Sequence, residues 1–193
     1  MTNREILDIA MAQSAIDLNC KPEDFLSTEN KIVFSDTHPQ ARRYLELPFA
    51  CNLVSYGNNI VASVQKEYEA IVNQYINKYA VEHCFETPNM HVLNDAFQKH
   101  GMRVCFMAEY WLPDLAGLKV QECAYELKIL TQEDFAGLYV EQWSNALCEQ
   151  RKQLDVLGVG AYDADRLICW QVAGSICCNN KVLHMSSLFV VEI

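Results

Sequence analysis

The residues best suited to do chemistry lie in one short segment, "EHCFETPNMH", which contains His83, Cys84, Glu86 and His91. These residue types bind metals, but a structural zinc site needs four ligands at a closed spacing, and the sequence contains no C-x-x-C pair. A catalytic pair of Cys84 and His83 is also disfavoured, because adjacent residues of a helix point apart. The segment is therefore interpreted as a helix end and loop, and no metal is expected.

Composition excludes several classes of partner. The 193 residues carry a formal charge of −10, and their 15 Lys and Arg residues are scattered, so a nucleic-acid partner is not expected. The adjacent pair Arg42 and Arg43 is interpreted as part of a solvated helix face rather than an anion site. No apolar run approaches the roughly 18 residues of a membrane span, and the first residues do not resemble an export signal.

The nine cysteines favour a reducing compartment. Their number is odd, and several lie in apolar segments such as "MRVCFMAEYW", where thiols pack as small hydrophobic groups. We therefore expect a cytoplasmic protein without a disulfide framework.

The helices and strands that position these residues are predicted from the spacing of apolar residues and from capping and turn residues. Thr2 and Glu5 have capping-box spacing at the start of a first helix. "KIVFS" is a strand candidate, "CNLVSYGNNIVASV" predicts a β-hairpin, and "QKEYEAIVNQYINKYA" predicts an amphipathic helix with a buried tyrosine stripe. A further helix is predicted from N-cap Thr87 to Gly101, followed by a strand over "MRVCFMAEYWLP".

"PDLAGLK" interrupts this pattern and predicts a boundary between an amino-terminal αβ domain, residues 1–117, and a second domain, residues 118–193. In the second domain "AYELKIL" predicts a strand, and Thr131 with Asp134 predicts the cap of a helix over "QEDFAGLYVEQWSNAL". "LGVGAY", "DADR" and "LICWQVAGS" predict a hairpin, and "VLHMSSLFVVEI" a final strand. The chain is thus expected to be α+β.

The order of elements in residues 118–193 resembles the opening of the GNAT acetyltransferase superfamily. "LGVGAYDADRLI" looks like the family's strand, acidic turn and strand, and "HMSSLFVVEI" looks like its fourth strand. The preceding "TPNMHVLNDAFQKHGMRVCFMAEYWLPD" is similar to the amino-terminal domain of some two-domain bacterial members. The resemblance implies a mixed sheet with flanking helices, incomplete in this chain.

The resemblance also implies a chemistry, the transfer of an acetyl group from acetyl-CoA to a small-molecule or protein amine. The amine attacks the thioester carbonyl, whose oxygen is polarised by backbone N–H groups of the fourth strand. The positions that match are Leu188, Phe189, Val190 and Val191, which would contact the cofactor through main chain only.

A base must remove the ammonium proton in such a reaction. Glu126 and Glu141 are candidates, although an exposed surface role is the more common one for glutamate. His184 could approach the same end of the sheet, but a lone histidine on an apolar strand usually packs or lies at an edge. We therefore assign no catalytic residue from the sequence.

Two irregularities keep other functions open. The chain is expected to stop before the Arg/Gln-x-x-Gly-x-Gly/Ala turn on which the family binds the pyrophosphate of acetyl-CoA. Its third strand, "LICWQVAGS", yields a more typical sequence when the reading frame is moved within Cys169, so residues 170–193 are hypothesised to be a frame-shifted tail. The alternatives are a truncated remnant or a non-catalytic binding module that forms a homo-oligomer through an open sheet edge.

Overall fold

A computed structural model describes residues 1–42, 47–119, 122–144, 147, 149–175 and 183–186. The chain is α+β, as the sequence predicts. It divides into two compact units, Met1–Ala116 and Gly117–Ile193, next to the domain boundary predicted after residue 117. That each unit is an independent domain stays a prediction. None of the described helices is long and apolar enough to cross a membrane.

The first unit contains three α-helices and a three-stranded sheet among its described residues. The helices are α1 (Asn3–Leu18), α2 (Glu69–Ile76) and α3 (Thr87–Gln98), and the strands are β1 (Lys31–Phe34), β2 (Cys51–Val54) and β3 (Val61–Val64). The strand order is β1-β3-β2, with β1 parallel and β2 antiparallel to β3. The predicted hairpin is therefore confirmed, and its second strand is buried along its whole length in the centre of the sheet.

Helix α1 begins with the capping box that its sequence predicts. The Glu5 backbone N–H donates to Thr2 Oγ1 at 3.2 Å, and the Thr2 backbone N–H donates to a Glu5 carboxylate oxygen at 2.6 Å. These two bonds satisfy donors that the first helical turn leaves without partners. The helix ends at Asn19, whose φ of 61° is tolerated by asparagine.

The predicted tyrosine stripe of α2 packs in the core of the first unit. Tyr68, Val72, Tyr75 and Ile76 are buried, and the Tyr68 ring meets Phe97 of α3 edge to face, with ring centroids 5.4 Å apart. The regular helix is shorter than predicted, because Lys66–Tyr68 forms a 3-10 turn before it. Helix α3 begins at Thr87 itself, with Glu86 in the N-cap position, so the N-cap prediction was wrong by one residue.

The strand predicted over "MRVCFMAEYWLP" is wrong. Residues 102–113 have no strand structure, and several of their large apolar side chains are exposed, including Phe106 and Trp111. High β-propensity stabilises a strand only when a neighbouring strand pairs with it, because a lone strand leaves its backbone groups and side chains in water. The described sheets offer this segment no such neighbour.

The second unit is built on a four-stranded sheet. Its strands are β4 (Glu126–Thr131), β5 (Asp155–Asp163), β6 (Arg166–Ser175) and β7 (Leu183–Ser186), in the order β4-β5-β6-β7. The β5–β6 hairpin turns at Ala164 with φ of 53°, as the sequence predicts for this segment. The described pairings of this second sheet are all antiparallel. The mixed sheet that the resemblance implies stays a prediction.

The helix predicted after β4 is also wrong. The Thr131 backbone N–H and hydroxyl both donate to an Asp134 carboxylate oxygen, at 2.7 and 3.0 Å, so the predicted cap forms. Val140 is extended, with φ of −122° and ψ of 160°, and splits the described part of the segment into short turns and the 3-10 turn Glu141–Trp143. Phe135 and Trp143 are nevertheless buried in the core of this unit. The described residues of this unit thus contain no flanking α-helix.

Candidate functional site

The segment "EHCFETPNMH" separates its reactive residues rather than joining them. It forms the 3-10 turn Glu82–Phe85, and then Glu86 leads into α3. The Cys84 thiol is buried and directed at the Ile76 carbonyl oxygen 4.0 Å away, and burial raises its pKa. A catalytic thiol needs a lowered pKa and access to substrate, so Cys84 is a packing residue.

His83 lies on the surface of the same turn. Its Nδ1 is 2.9 Å from Glu86 Oε1, and both side chains are more than half exposed. The hydrogen bond to Glu86, and then the carboxylate charge, raise the His83 pKa above its ordinary value. The pair favours the charged imidazole, so its contribution to stability is present at low pH and is lost as the pH rises through the raised pKa of the folded protein.

We expect Glu86→Gln to lower the His83 pKa toward its ordinary value, because the substitution removes the charge that favours imidazolium. The measurement is an NMR titration of the His83 ring protons in both proteins. Glu82→Gln is the control, since the Glu82 charge is the smallest contribution to the His83 shift and should move it less. A His83 pKa that is the same in Glu86→Gln and in the wild type contradicts the pairing.

His91 lines a separate feature, a shallow groove of about 250 Å³ between α3 and the segment after it. The other lining residues are Thr87, Met90, Asn94, Val104 and Met107. The Asn94 side-chain oxygen accepts a hydrogen bond from the Val104 backbone N–H at 3.0 Å, which attaches this segment to the helix. Among the described residues, no three His, Cys, Asp or Glu side chains form a group that could hold a metal ion.

The candidate bases lie on different elements of the second unit. Glu126 is exposed on β4, and its carboxylate is 3.2 Å from Lys128 Nζ. Glu141 is exposed at the start of a 3-10 turn. His184 lies in β7, and its backbone pairs with Gly174 of β6. The predicted cofactor positions Leu188, Phe189, Val190 and Val191 lie outside the described residues.

The sequence contains one G-x-G triplet, Gly158-Val159-Gly160, and the structure gives it a packing role. Gly158 pairs with Leu130 of β4 and Val172 of β6, so this backbone lies inside the sheet and forms no turn that could bind an anion. A Cβ on Gly158 would lie 3.0 Å from the Gln171 backbone oxygen and 3.2 Å from the Phe135 ring. The glycine therefore allows Phe135 to pack directly against the sheet.

Gly158→Ala is expected to destabilise the second unit by about 1–3 kcal/mol, because the added methyl overpacks against a backbone atom that cannot rotate away. Gly137→Ala is the matched control, since a Cβ at Gly137 meets no atom within 4 Å, and it is expected to change stability by less than about 1 kcal/mol. Urea unfolding of both variants measures the difference. Equal stabilities would show that the close packing at Gly158 is absent.

The buried polar cluster around Asp17 was not predicted. Asp17 of α1 is fully buried and accepts hydrogen bonds from the Arg42 backbone N–H at 2.8 Å, from Arg42 Nε and from Gln13 Nε2 at 3.1 Å. The Arg42 side chain is only 14% exposed, so its interpretation as a solvated residue of a helix face is wrong. The ion pair with the buried Asp17 carboxylate holds the Arg42 guanidinium away from water. The sequence shows the arginine but not the carboxylate with which it pairs. Arg43 lies outside the described residues.

A second pair of polar side chains joins the same part of α1 to the loop between β2 and β3. The hydroxyl oxygens of Ser14 and Tyr56 are 2.9 Å apart. Burial raises the Tyr56 pKa, partly offset by the Ser14 hydrogen bond and the Arg42 charge. Ser14 and Asp17 lie on the same buried side of α1 as Met11 and Leu18. The apolar pattern of the helix therefore did not reveal that these two polar side chains are buried. These contacts connect α1 to its surroundings within the first unit.

No protein-family model, no curated protein and no solved structure matches this chain.

Proposed function

We propose that the second unit has the scaffold of a GNAT-like N-acetyltransferase, whose reaction class is acetyl transfer from acetyl-CoA to an amine. The observation that carries the proposal is the sheet β4-β5-β6-β7, in which consecutive strands are neighbours and each is antiparallel to the next. This is the order of strand, hairpin and strand on which the sequence resemblance rests. The thiol-rich composition, with nine cysteines, supports a cytoplasmic location.

The described residues do not fit the coenzyme. A pyrophosphate needs several backbone N–H groups that converge on it, usually at a helix N-terminus. The backbone of the G-x-G triplet is paired within the sheet, and the sequence contains no Arg/Gln-x-x-Gly-x-Gly/Ala turn. We therefore derive no catalytic step through acetyl-CoA, and we assign no role in acyl transfer to Glu126, Glu141 or His184.

A second candidate function is a non-catalytic binding or oligomerisation module on the same scaffold. It is favoured by the outer face of the second sheet, where Leu127, Ile129, Leu157 and Val159 are between 39% and 72% exposed. Leu127 and Ile129 lie on β4 opposite Ala161 and Val159 of β5, so these side chains share one face. A contiguous apolar face of this kind marks an interaction surface more often than isolated exposed residues do.

Thermal unfolding with and without saturating acetyl-CoA separates the two candidates. A ligand that binds the folded form must raise the midpoint, by an amount equivalent to about 2.7 kcal/mol at a hundredfold excess over its Kd. We expect no shift, because the described residues provide no pyrophosphate cradle. A saturable rise that free acetate does not reproduce would establish coenzyme binding. It would favour the acetyltransferase over the non-catalytic module. An unchanged unfolding midpoint, together with an oligomer that survives dilution, would favour the non-catalytic oligomerisation module.

A further inference from the structure

Strand β4 is an edge strand of the second sheet among the described residues. The order β4-β5-β6-β7 places it at one end, and in the part of the chain that the structure describes only β5 pairs with it. Its residues from Glu126 to Ile129 are all exposed. An exposed edge strand presents backbone N–H and C=O groups to which another strand can pair.

The side chains of this edge form two stripes. Leu127 and Ile129 alternate along β4 and are 56% and 72% exposed, which makes an apolar stripe on the outer face. Tyr125, 47% exposed, comes directly before the strand. Glu126 and Lys128 point to the opposite face, where their charged groups are 3.2 Å apart and Lys128 Nζ lies 4.6 Å from the centre of the Tyr162 ring. The edge thus carries one acid and one base, two residues apart.

We infer that β4 pairs antiparallel with β4 of a second copy of this chain, about a two-fold axis at Leu127. In this register Glu126 lies opposite Lys128 of the second copy, and the reverse pair forms by symmetry. Tyr125 lies opposite Ile129 of the second copy, and the two Leu127 side chains meet on the axis. From Tyr125 to Ile129, each cross-strand pair therefore joins either opposite charges or two apolar groups, which are the pairs that stabilise a sheet.

The neighbouring symmetric registers are less favourable. Moving the axis to Lys128 places the two Lys128 ammonium groups opposite each other, and like charges directly opposite destabilise a strand pair. Moving it to Ile129 leaves each Lys128 opposite the apolar Leu130. Charge complementarity therefore selects the register centred on Leu127, and it favours a second copy because the pattern is its own complement.

Sedimentation of the full chain over a dilution series tests the pairing. We expect a dimer that Lys128→Glu weakens by about tenfold or more in Kd, because Glu126 of one copy then faces a glutamate of the other. The charge swap of Glu126→Lys combined with Lys128→Glu restores opposite charges, and we expect it to recover most of the lost affinity. Far-UV circular dichroism confirms that each variant is folded.

Cross-linking tests the register independently of affinity. In a chain with Cys105→Ser and Cys123→Ser, Leu127→Cys is expected to give a covalent dimer with a short thiol-specific cross-linker. Ile129→Cys should not, because in this register each Ile129 faces Tyr125 rather than its own copy.

Three results would overturn the inference: a wild-type chain that is monomeric throughout the dilution series, equal losses in the single and swapped variants, or preferential cross-linking through Ile129→Cys. A complex with an unrelated protein in place of the dimer would overturn it as well. None of these outcomes depends on acetyl-CoA binding, so this inference and the proposed function can fail separately.

Discussion

Replacing Asp17 by alanine is expected to lower the free energy of unfolding of the first unit by about 3–5 kcal/mol. Asp17 is fully buried, and its carboxylate accepts hydrogen bonds from the backbone and side chain of Arg42 and from Gln13. Removing it leaves the guanidinium of Arg42 in a largely buried position without this counter-charge. Urea unfolding of the full chain measures the change, and hydrogen exchange of the β3 amides assigns it to the first unit.

Asp8→Ala is the matched control on the same helix. Asp8 lies 2.9 Å from Arg4 Nε, but both side chains are at least half exposed, so the pair is expected to contribute less than about 1 kcal/mol. Similar losses in Asp8→Ala and Asp17→Ala would contradict a special role for the buried pair. Replacing Asp17 and Arg42 together by apolar residues should be less harmful than Asp17→Ala alone, because the largely buried guanidinium is removed together with its Asp17 counter-charge.

Trp170→Ala is expected to destabilise the second unit by about 3–5 kcal/mol. Trp170 is 2% exposed, and its ring packs against Phe135 and Trp143, with centroids 5.7 and 6.2 Å away. Truncation removes one of the two buried tryptophans of the core that connects the sheet to the turns after β4. Chemical unfolding, with hydrogen exchange of the β5 amides as the local probe, measures the loss.

Trp111→Ala is the control for this substitution. Trp111 is 86% exposed, and so its truncation is expected to change stability by less than about 0.5 kcal/mol. If the two tryptophan variants unfold at the same urea concentration, Trp170 does not occupy the centre of the core. A loss of β3 protection in Trp170→Ala would show instead that the two units unfold together.

Local signals in the sequence predicted much of the fold. The capping box at Thr2, the β2–β3 hairpin and the β5–β6 hairpin each depend on residues close together in the chain, so their patterns are visible in one sequence. The two wrongly predicted elements are the strand over residues 102–113 and the helix after Asp134. Whether such elements form depends on distant contacts or on a balance of weak conformational preferences. Residues 102–113 have strand propensity without a strand to pair with, and the segment after Asp134 has helical spacing that the extended Val140 interrupts.

The polar residues were harder to place. The segment that contains His83 and Cys84 was interpreted as a helix end and loop, and its sequence did not show that the Cys84 thiol is buried while His83 is exposed. Asp17 and Arg42 form an ion pair although they are 25 positions apart in the chain. No short sequence motif predicts a pair at that separation. Gly158 has the spacing of an anion-binding motif, and only its pairing on both sides within the sheet shows that it serves packing.

Trp170 also bears on the hypothesis of a frame-shifted tail. The described part of the tail completes β6 and supplies β7, and Trp170 fills the core, so these residues contribute to the folded unit. A change of frame would concern the origin of the segment, not whether it packs. The hypothesis therefore stays a prediction about the gene.

Sequencing the genomic locus and translating it in all frames tests the central claim, that the second unit descends from a GNAT-like acetyltransferase. We expect an alternative frame entered near the codon of Cys169 to encode a typical third and fourth strand, followed by an Arg/Gln-x-x-Gly-x-Gly/Ala turn. If none of the frames downstream of that codon encodes such a turn, the proposed ancestry is contradicted.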